Sequence, residues 1–84
     1  MQAHNQPYFV KNELEQSICR YYRRKETGEK GIQLSAENIM ERLKNKHIKG
    51  IDYISLRSLC RTLTRLFGSP VHTQYGNLYQ LAEA

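Results

Sequence analysis

Eighty-four residues suffice for one small domain, and 39% hydrophobic with 25% charged residues is the make-up of a folded segment, not a disordered one. No apolar run approaches the ~20 residues of a membrane-spanning helix, and the first residues lack the apolar stretch of a secretory leader, so a cytoplasmic location is expected. The formal net charge of +5 is unevenly placed: between Met40 and Arg65 seven bases stand against two acids, which is the whole excess. A local field of that kind attracts polyanions at long range; the plainer reading is a solvated, solubilising surface.

In chain order, Met1–Pro7 is polar and expected to be disordered, leaving residues 8–84 as a single domain. A first helix should start between Tyr8 and Asn12. Val10, Leu14, Ile18, Tyr21 and Tyr22 form its apolar stripe, with Cys19 beside it. Glu13 and Glu15 near the start, and Arg20, Arg23, Arg24 and Lys25 near the end, follow the charge order favoured by the helix dipole. The same basic cluster offers an alternative role in phosphate contact. Thr27–Gly31 reads as a loop, and Ile32–Leu34 as an edge strand or extended linker. Ser35 is a good N-cap for a second helix that buries Ile39, Met40 and Leu43 and runs to about Lys46. His47–Gly50 is a turn, and Tyr53 beside it is expected to pack. A third helix begins near Ser55, capped by Asp52 or by Ser55 itself.

The third helix carries the strongest signal. Leu56, Leu59, Cys60, Leu63, Leu66 and Phe67 fall on one face, and Ser58, Arg61 and Arg65 lie opposite, flanked by Arg57 and Thr62. Gly68 stops the helix and Pro70 prevents its resumption. Val71–Thr73 and Leu78–Leu81 then read as two strands around Gln74–Asn77. The leucines should pack on Leu14, Ile18, Ile39 and Leu43, with Val71, Tyr79 and Leu81 covering the lower edge of the core. Cys19 and Cys60 are expected as reduced core thiols. The order helix, short strand, helix, helix, strand, strand defines the expected fold class. It is mainly α with a small β-wing, a winged helix-turn-helix of three helices plus a two- or three-stranded antiparallel sheet.

On that frame the expected partner is double-stranded DNA. A helix fits the major groove, where an arginine can grip guanine O6 and N7 together. Arg57, Ser58, Arg61, Thr62 and Arg65 are the candidate contacts on the helix, and His72, Gln74 and Tyr75 those on the hairpin, with Tyr75 available for stacking. Lys44, Lys46 and Lys49 would add sequence-independent attraction to phosphate. Nothing in the chain has the pattern of a catalytic, metal or cofactor site. His4, His47 and His72 stand apart, no Cys-x-x-Cys pair occurs, and Gly28–Gly31 lacks the phosphate-loop ending. The chain is therefore expected not to be an enzyme and to need no cofactor.

The runs Leu34–Leu43 and Ser55–Leu63 resemble the winged-helix superfamily. More narrowly, they are similar to the C-terminal domains of virulence-associated protein E type primase-helicases of mobile elements. Such tails carry a Ser-Ala-x-x-Ile lead into one helix, here Ser35-Ala36 and Ile39. They also carry a Leu-x-x-Leu-x-x-Leu-like recognition helix and a Gly-x-x-Tyr wing ending, here Gly76-Asn77-Leu78-Tyr79. The resemblance spans roughly Gly31 to Leu81. It implies a DNA-binding module of a replication or regulatory protein, with helicase or primase chemistry elsewhere. One departure stands out: such wings usually bear Arg or Lys before the glycine, whereas Val71–Tyr75 has only His72. A second class of function fits the same frame, a protein-protein interaction adaptor that presents Tyr75, Phe9 or Tyr8 to a partner protein of a replication complex. Either a monomer or a homodimer paired through the first helix is compatible with the sequence.

Overall fold

The computed structural model describes the backbone from Gln6 and the side chains from Glu13 to Ala84. Helix α1 spans Gln6–Tyr21, strand β1 Tyr22–Arg24, β2 Ile32–Leu34, α2 Ala36–Asn45, α3 Leu56–Phe67, β3 Val71–Thr73 and β4 Gly76–Glu83. A single 3-10 turn, Ile51–Tyr53, joins the last two helices. Three helices thus pack with a small antiparallel four-stranded sheet in a winged-helix-like arrangement. Helix α1 is already formed at Gln6, inside the stretch expected to be disordered. Met1–Asn5, and the side chains of Tyr8, Phe9 and Val10, lie outside the described residues.

Local chemistry accounts for the helix ends. Ser35 is extended and its hydroxyl accepts the Asn38 amide at 3.1 Å. Ser55 does the same for Ser58 at 3.1 Å, which settles the choice between Asp52 and Ser55 as the cap of α3. Gly68, with φ +92°, closes α3 by donating its amide to the Thr64 carbonyl at 2.9 Å. Replacing Ser55 by Ala is expected to cost about 1 kcal/mol, because the Ser58 amide then loses its partner at the helix start. Urea denaturation of the variant beside the parent measures this, and an unchanged midpoint would rule out the cap.

The sheet departs most from expectation. Strand β4 begins at Gly76 and runs through Glu83, longer at both ends than Leu78–Leu81, and it serves every other strand. Its far half pairs with β1, Tyr22 opposite Glu83 and Arg24 opposite Leu81. On its other edge Ile32 pairs with Leu81 and Leu34 with Tyr79. Its near half pairs with β3, Thr73 opposite Gly76, so the hairpin turn is Gln74-Tyr75 alone and Asn77 belongs to the ladder. Tyr22, Arg23 and Arg24 are therefore a strand and not the end of α1. An aromatic residue followed by two long side chains suits either state, and the open edge of β4 decides it by pairing.

The core gathers Leu14 and Ile18 of α1, Ile39 and Leu43 of α2, Leu59, Leu63 and Phe67 of α3, and Tyr79 and Leu81 of β4. Tyr22, Leu34, Ala36, Ile48 and Ile51 close its margins, and Leu56, Cys60 and Leu66 are only partly buried against it. Four expectations are corrected. Cys19 is exposed, because a residue one position past Ile18 is turned by about 100° from the buried stripe. Tyr21, the last residue of α1, is partly exposed. Val71 also faces outward, since β3 touches only the near half of β4, away from the core. Tyr53 is exposed rather than packed, as the 3-10 turn buries Ile51 in its place.

Across the end of the sheet the chain passes from one edge of β4 to the other within Lys25–Gly31. A turn at Glu26–Glu29 makes this possible, with the Glu29 amide donating to the Glu26 carbonyl at 3.0 Å and Gly28 at φ +82°. Lys25 Nζ donates to the Glu29 carbonyl at 2.9 Å. The Arg23 guanidinium grips the Glu29 carboxylate with two hydrogen bonds, one of them 2.9 Å. That grip, helped by the Glu26 amide, holds the Glu29 carboxyl down to about 2. Arg23 thus acts inside this loop.

Candidate nucleic-acid interface

Helix α3 sets the site. Its buried arc runs from Thr62 through Leu59 and Leu63 to Phe67. What remains outward is Arg57, Arg61 and Arg65, four residues apart and therefore one above the other on a single stripe. The helix is held in place by more than apolar contact. Tyr79 on β4 donates its hydroxyl to the Cys60 carbonyl at 3.1 Å, which leaves the Thr64 hydroxyl to donate to Tyr79 at 2.9 Å. Burial pushes the Tyr79 phenol above its ordinary value, so it stays a neutral donor at physiological pH. The arginine stripe is thereby fixed in azimuth relative to the wing strand.

The predicted contacts divide on inspection. Arg57 and Arg61 are exposed, and among the described residues neither is in an ion pair. Arg65 is exposed too, but its guanidinium is bound to the Glu15 carboxylate on α1. Ser58 is partly exposed and its hydroxyl accepts from Ser55 at 3.2 Å, within the cap. Thr62 is removed from the candidate face: it is 1% exposed. Three residues beyond Leu59 it lies only about 60° around the helix from it, at the edge of the buried arc rather than on the polar side. Its hydroxyl has no hydrogen-bond partner among the described residues.

The lysines belong to other surroundings. Lys49 Nζ is 3.6 Å from Glu13 of α1. Lys46 Nζ stands 4.6 Å from the centre of the Tyr21 ring. It lines a cleft with Arg20, Tyr21, Arg42, Asn45 and Glu83, to which α3 contributes nothing. That cleft is where α1 and α2 end, and bases there offset the negative ends of two helix dipoles. Lys44 is exposed on α2. The α1 carboxylates Glu13 and Glu15 thus engage one of these lysines and one α3 arginine. The sequence held no sign of it, because the partners are far apart in the chain.

The hairpin is braced but carries no lysine or arginine from Val71 to Ala84. His72 Nδ1 is 2.9 Å from Asn77 Oδ1 across the ladder. Gln74 and Tyr75 form the tip and are exposed. Between the tip and α3 lies a groove of about 770 Å³ lined by Ser35, Leu56, Cys60, Thr64, Tyr75 and Tyr79, among others. Tyr53, placed by the 3-10 turn just ahead of α3, is the surface residue that the sequence reading missed. Nothing in the run Gly50-Ile51-Asp52-Tyr53 says which of its two large side chains turns inward.

Among the described residues no three His, Cys, Asp or Glu side chains come together as metal ligands. Nor is any helix of those residues long and apolar enough to cross a membrane. The chain is thus a winged-helix-like module with a cationic third helix. It belongs to the family DUF3874, described as a domain of unknown function from a B. theta gene description, whose model matches residues 12–81. No curated protein and no solved structure matches it.

Proposed function

We propose that this domain binds double-stranded DNA, with α3 in the major groove. The observation that carries the reading is the arginine stripe. The side of α3 opposite its buried arc presents Arg57, Arg61 and Arg65 in line, and two of these have no carboxylate to neutralise them among the described residues. A guanidinium at Arg61, mid-helix, reaches base edges, while Arg57 near the helix start reaches phosphate. Arg65 joins by exchanging Glu15 for phosphate, so Glu15 sets how strongly the far end of the helix is drawn to the duplex. Ser58, a short hydroxyl residue on the same side, suits close approach to the duplex. Within a larger assembly the domain serves as the DNA-gripping part of a replication or regulatory protein. The former, in the cytoplasm, is the reading implied by the resemblance of Ser35-Ala36, Ile39 and Gly76–Tyr79 to the tails of mobile-element primase-helicases.

Fluorescence anisotropy of a labelled duplex across a salt series tests this. The parent should bind at low salt and weaken steeply as salt rises, because each phosphate contact releases counterions. Arg61→Ala should lose about 1–3 kcal/mol and relax discrimination at one base pair. Arg57→Ala should weaken all sequences alike and flatten the salt dependence by about one counterion. Absence of binding at low salt defeats the proposal and turns attention to an adaptor role.

A further inference from the structure

The two most exposed aromatic side chains of the described surface are Tyr53, 81% exposed, and Tyr75, 79% exposed. A single exposed aromatic is ordinary; Tyr53 stands just ahead of the start of α3, and Tyr75 stands at the wing tip, beside the groove lined by Leu56, Cys60 and Thr64 of that helix. Tyr53 precedes Leu56, the first residue of α3, by three positions, and Tyr75 lines one groove with Leu56. Arg57, with its charge uncompensated among the described residues, follows directly.

Tyr75 is also held stiffly. The Thr73 hydroxyl accepts the Tyr75 amide at 3.0 Å and donates to the Gly76 carbonyl at 2.8 Å, tying the two-residue turn across its neck. Gly76, at φ +106°, allows the tight return into β4. The wing is therefore a rigid prong whose projecting group is a phenol ring, on a hairpin with no lysine or arginine and with its histidine engaged by Asn77. Such a prong has no lysine or arginine with which to hold a phosphate. What it offers is a flat π face, and inside a continuous duplex every base face is already covered by its neighbours. A base face becomes available only where a strand is unpaired or a duplex ends.

Resting on the duplex-binding reading above, we propose that the preferred target is DNA at a junction between paired and unpaired strands. Helix α3 lies on the duplex arm. Tyr75 stacks on the first unpaired base. The cationic α3 beside the wing selects a polyanion as the occupant rather than an apolar protein surface.

The test compares two labelled probes of identical duplex sequence with the whole chain. One is closed at both ends by glycol linkers and exposes no base face; the other ends in a fork of unpaired bases. The parent should bind the fork at least about tenfold more tightly, the scale of one base–aromatic stack. Tyr75→Ala should abolish that preference while leaving affinity for the closed duplex unchanged, and Tyr75→Phe should retain it. Arg61→Ala should weaken both probes together. Equal parental affinity for the two probes overturns the junction proposal and leaves duplex binding standing, as does a Tyr75→Ala variant that weakens both alike. Failure to bind either probe overturns both readings.

Discussion

Replacing Leu63 by Ala is expected to destabilise the domain by about 2–5 kcal/mol. Leu63 is fully buried, in a cluster that draws residues from all three helices and from β4. Truncation leaves a cavity that these walls cannot close, since each is fixed by its own strand pairing or helix packing. A domain of this size buries only a modest fraction of its surface and has a small reserve of stability. At about 4–8 °C per kcal/mol, the melting temperature should fall by roughly 10 °C or more. Leu56→Ala, on the same helix but only partly buried, should cost distinctly less. Thermal unfolding followed by circular dichroism compares the two. A Leu63 variant that melts with the parent would mean that α3 is not seated as described.

The second large effect is expected at Gly31, for a reason that has nothing to do with helix or turn propensity. A Cβ placed there would stand 2.3 Å from the Leu81 carbonyl oxygen and 2.5 Å from Cδ of Lys25. The lysine can swing aside. The Leu81 carbonyl cannot, because β4 is paired at that level on both edges, with Arg24 and with Ile32. Gly31→Ala should therefore force the crossing loop off the sheet and cost about 1–3 kcal/mol or more, as overpacking does. Gly28 makes the control. It has φ +82° and nothing within 4 Å of its would-be Cβ. Asn, which enters the left-handed region more readily than most residues, should be nearly neutral there. Equal losses for Gly31→Ala and Gly28→Asn in urea denaturation would show that conformation, and not the approach to Leu81, is what Gly31 provides.

The candidate interface was partly legible for the same kind of reason. The periodicity of α3 placed Arg57, Arg61 and Arg65 outward because a wheel needs only the spacing of apolar residues. It misplaced Thr62, since the width of a buried arc depends on what packs beside the helix. It also could not separate bound from unbound cations. Arg65 and Glu15, or Lys49 and Glu13, meet only once α1 is folded beside them. The inward Ile51 and outward Tyr53 are a similar case: both are large and apolar, and only the core's remaining space selects between them.

The features legible in the chain are those whose causes lie within a few residues. Ser35 starts one helix, Gly68 with Pro70 ends another, and the leucine stripe of α3 and the Val71–Thr73 strand need only their own neighbours, whereas the choice of Ser55 over Asp52 as the cap of α3 came with the fold. The tertiary structure alone decided the rest. A strand at Tyr22–Arg24 exists because β4 offers an edge, and Gly31 is required because another strand's carbonyl passes above it. The two acids of α1 quiet one arginine and one lysine but leave Arg57 and Arg61 alone. Each of these depends on groups that are distant along the chain and adjacent only after folding, which is why no local pattern could announce them.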